Sequence, residues 1–460
     1  MKSSIFEGRG RDLKWDRVAD VCRRLIIGGL LPWASTAWGE PALPAREMTL
    51  ASEGISSWTT RPAAVRHGGR LYFAYQNQRR VEVNFLDAAT GKAATPFVLH
   101  TYTYDDDHGT PSLFVVPSGQ HAGKLVVIFS HHNAALYSRR CRTAGDLRQW
   151  DDAVTVDGGG CNYPKPLIRS DGSVWMSYRL SGTGHVYRTT PDGSTWSPAT
   201  TLASAQDGLL YVFIAARGDS FHMAFGRYEG TSKRFRDAYH AISGDGGITW
   251  GRSDGSPIAL PITAEKATCI YDDTSQEWSR VLDVAVHDDG TPAILFYYDM
   301  PNFRSGSMRF LEMKVAQARW NGSDWRMEDI PASAPYHRAN LKGRAVYACS
   351  GAQRPGDINT VVLMEGSHGE YSGAGFETIN TPCRAHAVLY RRSHESWRRI
   401  GRITDAPERW EHTGRPEAFE TRAQWVHGRG EVPELILSRV THYRAYEEWA
   451  SALILVRCSK

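Results

Sequence analysis

Four stretches of this chain repeat one plan: an apolar run, a turn containing glycine, then a second apolar run. They read AAVRHGGRLYFAYQN from Ala63, PLIRSDGSVWMSYRL from Pro166, VFIAARGDSFHMAFGRY from Val212 and VAVHDDGTPAILFYYD from Val284. Short runs of strand-forming residues on either side of a glycine turn are β-hairpins. A second hairpin turn lies downstream, best formed in SGDGGITW, Ser243 to Trp250. In that turn Asp245 is expected to accept amide hydrogen bonds, Gly246 and Gly247 to take positive φ, and Trp250 to pack back between sheets.

Reduced versions of the same turn occur as AGDLRQW (Ala144 to Trp150), PDGSTW (Pro191 to Trp196), NGSDW (Asn321 to Trp325) and SHESW (Ser393 to Trp397). The Ser-x-Asp-x-Gly-x-Thr-Trp pattern resembles the Asp-box of sialidase-like propellers, a structural turn with no chemistry of its own. Hairpin plus hairpin gives a four-stranded antiparallel unit of roughly 45–70 residues, the size of a propeller blade. Such units fall near 61–100, 107–160, 161–205, 208–263, 280–331, 345–404 and 415–458. The expected fold is therefore all-β: a seven-bladed β-propeller of four-stranded antiparallel blades. Six is the alternative count, and the segment before residue 60 is placed to help close the ring. With 15 Trp, 20 Tyr and 43 Gly, the composition suits twisted sheets and tight turns.

A net charge of +4 is concentrated at the start, where residues 1–24 hold seven Lys/Arg against four acids. The rest is nearly neutral and has no basic stripe, which argues against a nucleic-acid partner. After Arg23-Arg24 come an apolar run, Leu25 to Trp33, and the small residues Ala34 to Ala37. That order reads as a targeting segment over 1–40, with a twin-arginine flavour, followed by a single propeller domain over 41–460. The expectation is an exported protein, periplasmic or extracellular. No other apolar run is long enough for a membrane span.

The strand LVVIFSHHN, Leu125 to Asn133, runs from a buried core into two histidines and an amide. Aligning Phe129, Phe225 and Phe296 places His131, Arg227 and Tyr298 at one structural position, with Tyr75 and Tyr178 close to it. Inner strands line a propeller's funnel, so these side chains are expected to ring one mouth, with Asn133, Arg179, Tyr297 and Asp299 as further subsite residues. Arg offers a fork matched to a carboxylate and Tyr a stacking surface with a phenol. An anionic polysaccharide bearing uronic acid or sulfate fits such a ring.

The stretches DDHGTPSLFVVP (Asp106 to Pro117), IFSHHN and YVFIAARGDSFHMAFGRY resemble the BNR-type propellers that include the ulvan lyases. The resemblance covers most of residues 60–455. It implies a polysaccharide lyase whose site uses two histidines, a tyrosine and an arginine. Carried over by position, the first histidine is His108, the second His131 or His132, the tyrosine Tyr211 and the arginine Arg227. Strand register favours His131, whereas a bulge at the strand end would present His132. The implied reaction is β-elimination: Arg227 neutralises the uronate carboxylate, His108 and Tyr211 share the acid and base roles, and the second histidine assists.

The resemblance also implies a structural metal ion. Cys383 and His386 stand three apart in CRAH, and Cys269 and Cys349 are placed to approach the same rim, which gives a candidate structural zinc site. No organic cofactor is expected, and the protein is expected to act as a monomer. Two other readings stay open. A non-catalytic carbohydrate-binding propeller would use the same ring for recognition alone. A sialidase-like glycoside hydrolase is the other, but hydrolases mostly need a carboxylate pair and the ring is poor in acids, with only Asp299 standing out.

Overall fold

The computed structural model describes residues 45–56, 59–229, 234–273, 279–299, 313–332, 351–367, 384–394, 396–404, 422–427, 433–445 and 448–458. The targeting segment read at 1–40 lies outside these residues. Residues 41–460 make one compact unit, and its described part is all-β. The only helical segments among the described residues are two 3-10 turns, Asp107–Gly109 and Gly119–His121. No helix there is long and apolar enough to cross a membrane.

Hairpin chemistry sets the local structure. Strands Ala64–His67 and Arg70–Asn77 are joined by Gly68 and Gly69, both at positive φ, as a tight two-residue turn requires. Strands Arg80–Asp87 and Phe97–Thr101 complete that antiparallel sheet of four. The next two sets share one sheet because strand Val154–Ile168 is long. Its first half pairs with Ala134–Thr143 and its second with Val174–Leu180. A further sheet starts from Leu209–Arg217, Ser220–Glu229 and Arg234–Ser243. Two four-stranded sheets follow, beginning at Ser279–Val286 and Gly351–Arg354. The last sheet takes Arg422–Trp425, Glu434–Ala445 and Glu448–Cys458 from the end of the chain. Its fourth strand is Ala45–Ala51, paired antiparallel from Ala45 opposite Cys458.

Both faces of each sheet are apolar, because each is packed between two others. Leu71, Phe73 and Tyr75 bury one face of the first sheet against Ile436, Leu453 and Leu455 of the last. Tyr72 and Ala74, one residue out of phase, bury the other face against Leu113, Val127 and Phe129. The period-two alternation of a strand thus serves two cores rather than a core and solvent.

The turn at Ser243 to Trp250 explains its own residues. Asp245 Oδ1 accepts the backbone N–H of Ile248 at 3.1 Å and of Thr249 at 2.9 Å. Gly247 has φ +83, and a Cβ there would come within 2.7 Å of the Trp175 indole nitrogen. Trp250 is buried and lies 6.4 Å from Trp175, ring to ring. The turn therefore pins neighbouring strand sets together.

Candidate active site

The histidine pair forms where a turn and a strand end meet. Asp106 caps the 3-10 turn Asp107–Gly109, accepting the N–H of His108 on Oδ1 at 2.9 Å. Gly109 has to be glycine, since a Cβ would lie 2.8 Å from both Gln76 Oε1 and a Tyr102 ring carbon. The Asp106 carboxylate then holds both imidazoles by Nδ1: His108 at 2.6 Å and His132 at 3.0 Å. The two rings stack at 4.0 Å with only 3° between their planes. Asp107 approaches His108 Nδ1 at 3.0 Å and forms a buried ion pair with Arg422.

His132, and not His131, is therefore the partner of His108. Strand Leu125–Ser130 stops before the pair, and Asn133 turns the chain with φ +55. His131 is only 7% exposed and bonds elsewhere. Its Nε2 bonds the carbonyl of Tyr104 at 3.1 Å, and its ring meets Tyr104 edge-on at 3.9 Å. Strand register stops predicting side-chain direction once the ladder ends.

A tyrosine that sequence reasoning passed over completes the group. Strand Val154–Ile168 slips register between Asn162, opposite Arg179, and Lys165, opposite Ser177. Tyr163 sits in that irregularity with φ +59, a strained conformation for a side chain of its size. The twist turns its ring toward His108, 5.8 Å away, and toward Tyr211, 6.2 Å away. The guanidinium of Arg179 lies 4.7 Å over the Tyr163 ring and 5.7 Å over Tyr211. A signal was present in the sequence: Pro164 interrupts an otherwise strand-like run, and proline inside a strand marks a bulge.

Arg227 is not part of this group. It lies opposite Leu210 in the hairpin, whereas Tyr211 lies opposite Gly226, so the two side chains take opposite faces of one sheet. Arg227 instead pairs with the fully buried Asp237, with Nε at 2.9 Å, and the same carboxylate accepts the Tyr239 hydroxyl at 3.0 Å. Tyr75 and Tyr178, expected on the ring, are buried in the packing between sheets. The Tyr178 hydroxyl donates to Asp157 at 2.7 Å. Tyr298 donates to Asp329 at 2.6 Å. Tyr297 is buried, and the Asp299 side chain is outside the described residues. Asn133 is exposed; its backbone N–H donates to Asn162 Oδ1 at 3.1 Å and its Oδ1 accepts from the Asn162 amide at 2.6 Å. Of the zinc candidates, Cys269 is exposed on strand Thr268–Tyr271. Cys349, Cys383 and the His386 side chain lie outside the described residues.

Charge is organised around His108. Burial works against its protonation, but Asp107 and Asp106 outweigh it and raise its pKa to about 9, so the ring is an imidazolium at neutral pH. Burial likewise opposes ionisation of Asp107, yet Arg422 and His108 hold its pKa at about 2. Hydrogen bonds from His108 and His132 overcome burial at Asp106 and keep it ionised too. Burial lowers the pKa of His131. Asp106, His108 and His132 place possible metal-binding atoms within 4.8 Å of one another. The lone pair of an imidazole lies in its ring plane, so two stacked parallel rings do not converge on one ion. Their arrangement fits hydrogen bonding to a shared carboxylate.

Residues 70–332 match the model of the BNR repeat-containing family. Among solved structures, the chain is similar to a polysaccharide lyase described as an ulvan lyase of a new family, bound to -[GlcA(1-4)Rha3S]-. That match has a TM-score of 0.64 at 12% identity, over 89% of this chain and 95% of that one. It is also similar to the polysaccharide lyase Uly1, with a TM-score of 0.57 at 10% identity, over 91% of this chain and 100% of that one. At such identities the likeness is one of fold. No curated protein matches the sequence.

Proposed function

The chain belongs to the BNR repeat-containing family, and from that premise we propose that it is a polysaccharide lyase cleaving a uronic-acid-containing, ulvan-like polymer by β-elimination. The observation that carries the reading is the largely buried Tyr163 ring, with the His108 imidazolium ring 5.8 Å away and the Arg179 guanidinium 4.7 Å over its face. The proton on C5 of a uronate is weakly acidic until its carboxylate is neutralised. Arg179 supplies a planar fork for that carboxylate, and His108 adds a second positive charge as the enolate-like anion develops.

A base must then take the C5 proton. A phenol, with an ordinary pKa near 10, acts as one around neutral pH only beside cations. Arg179 and His108 are the cations beside Tyr163. The electrons of the C5–H bond form the C4=C5 double bond, the C4–O4 bond breaks, and O4 takes a proton. In a glucuronate residue the C5 hydrogen and O4 leave from the same side, so Tyr163 can return to O4 the proton it removed. Tyr211 and His132 border the reacting sugar and orient it. The products are an unsaturated uronate at a new non-reducing end and a free hydroxyl on the other fragment.

Hydrolysis by a carboxylate pair fits less well, because Asp106 and Asp107 are both committed to ion pairs. We read the sheets as blades of a seven-bladed propeller. Support comes from seven inner-strand segments, from Pro62 to His427, that line one cavity. The last sheet joins the two ends of the described chain. Residues 1–40 are proposed as the export signal that delivers the enzyme to its polymer. The test of function is absorbance of the conjugated double bond during incubation with uronic-acid polysaccharides. A rise supports elimination, new reducing ends without absorbance mean hydrolysis, and binding without turnover means a recognition module.

A further inference from the structure

Next to Tyr163 lies a buried amine that the elimination does not use. Lys165 stands two residues further along the same strand, beyond Pro164, and only 4% of it is exposed. It lines a cavity of about 720 Å³ together with Arg61, Asp283, Gln353, Gln424 and His427. Its Nζ donates to the carbonyl of Tyr163 at 3.2 Å and lies 5.7 Å from the Tyr163 ring. Burial pushes its pKa well down, and the neighbouring charges of Arg61 and Arg179 push in the same direction.

Burying an amine among cations is unfavourable. Methionine or leucine would fill the same space without that cost. What the amine holds is the carbonyl of a residue at φ +59 immediately before a proline. The left-handed region is strained for a non-glycine residue, and a following proline restricts it further. Arg179 grips the ring of that residue, and Lys165 grips its backbone.

We propose that Lys165 is a positioning residue for Tyr163: its amine fixes the Tyr163 carbonyl and, through it, the strained turn that holds the ring beside His108 and under Arg179. The kinetic consequence rests on the lyase reading, but the structural consequence does not. Lys165→Met keeps the stem and removes the donor. Its kcat is expected to fall about 10- to 100-fold, the penalty of a misplaced catalytic group, with KM within about twofold of the wild type. Tyr163→Phe should be inactive, and combining it with Lys165→Met should bring no further loss.

A crystal structure of Lys165→Met should show Tyr163 out of the positive-φ region and its ring displaced from Arg179. An unchanged kcat, a loss confined to KM, or a Tyr163 backbone still near its present φ would overturn the proposal. If Lys165→Met does not fold, Lys165→Leu, which also removes the donor, is decided by the same two readouts. If the wild type proves to be no lyase, the lyase reading fails alone, and the Tyr163 backbone in the variant still decides the role of Lys165.

Discussion

Asp106→Asn strikes the contact that ties the two site imidazoles together. The carboxylate accepts Nδ1 of His108 at 2.6 Å and Nδ1 of His132 at 3.0 Å, along with the N–H of His108 at 2.9 Å. An amide keeps one acceptor oxygen and presents N–H groups to the other ring. Losing a hydrogen bond to a charged group costs about 1.5–3 kcal/mol. The shift of His108 from 6.5 to about 9 corresponds to an interaction on the order of 3 kcal/mol. Asp107 remains in the variant, so the His108 pKa should fall but stay above its ordinary value. The sign follows from the raised value. Stabilisation by protonated His108 is complete below pH 6.5 and is lost as pH rises through about 9. NMR titration of the His108 ring, paired with denaturant unfolding across pH, reads both quantities. The variant should be about 1–3 kcal/mol less stable at neutral pH, with its alkaline loss of stability beginning earlier. An unmoved His108 titration with an unmoved alkaline limb would refute the reasoning.

Arg179→Ala should lower kcat/KM by roughly 10²- to 10³-fold, the usual loss when a group stabilising developing charge is removed, with the fold intact by circular dichroism. Arg227→Ala should leave kcat within about twofold of the wild type, since Arg227 faces away from Tyr211. Steady-state kinetics decide that point, and unfolding should show a loss of about 1–3 kcal/mol from the stranded Asp237 carboxylate. Gly247→Ala puts a Cβ at φ +83 and 2.7 Å from Trp175 Nε1. It should cost about 1–3 kcal/mol by thermal or denaturant unfolding, with activity per folded molecule unchanged.

Features encoded locally were legible in the sequence. Gly68-Gly69 and Gly246-Gly247 announce turns whose backbone demands leave few other residues possible, and the runs between them can only be strands. The sheet groupings follow from those hairpins. His108 and Tyr211 were read from the resemblance by position, and the structure brings both next to Tyr163. Arg227 was read from strand-end alignment and from the resemblance, neither of which registers that it takes the sheet face opposite Tyr211. Tyr75 and Tyr178 failed for a related reason: a sheet packed on both sides buries both faces, so aromatic residues near a strand end belong to the core as readily as to a mouth. Tyr163 depends on a bulge and on contacts with residues from two other strands and the Asp107–Gly109 turn, none adjacent to it in sequence. Only Pro164 hinted at it.

The most direct test of the account mixes the purified protein with ulvan and other uronic-acid polysaccharides and follows ultraviolet absorbance of the unsaturated uronate, with Tyr163→Phe and Arg179→Ala alongside. The account predicts a rise with the wild type and none above background with Tyr163→Phe. Absorbance that persists in Tyr163→Phe, or polymer cleavage without any absorbance, would contradict it.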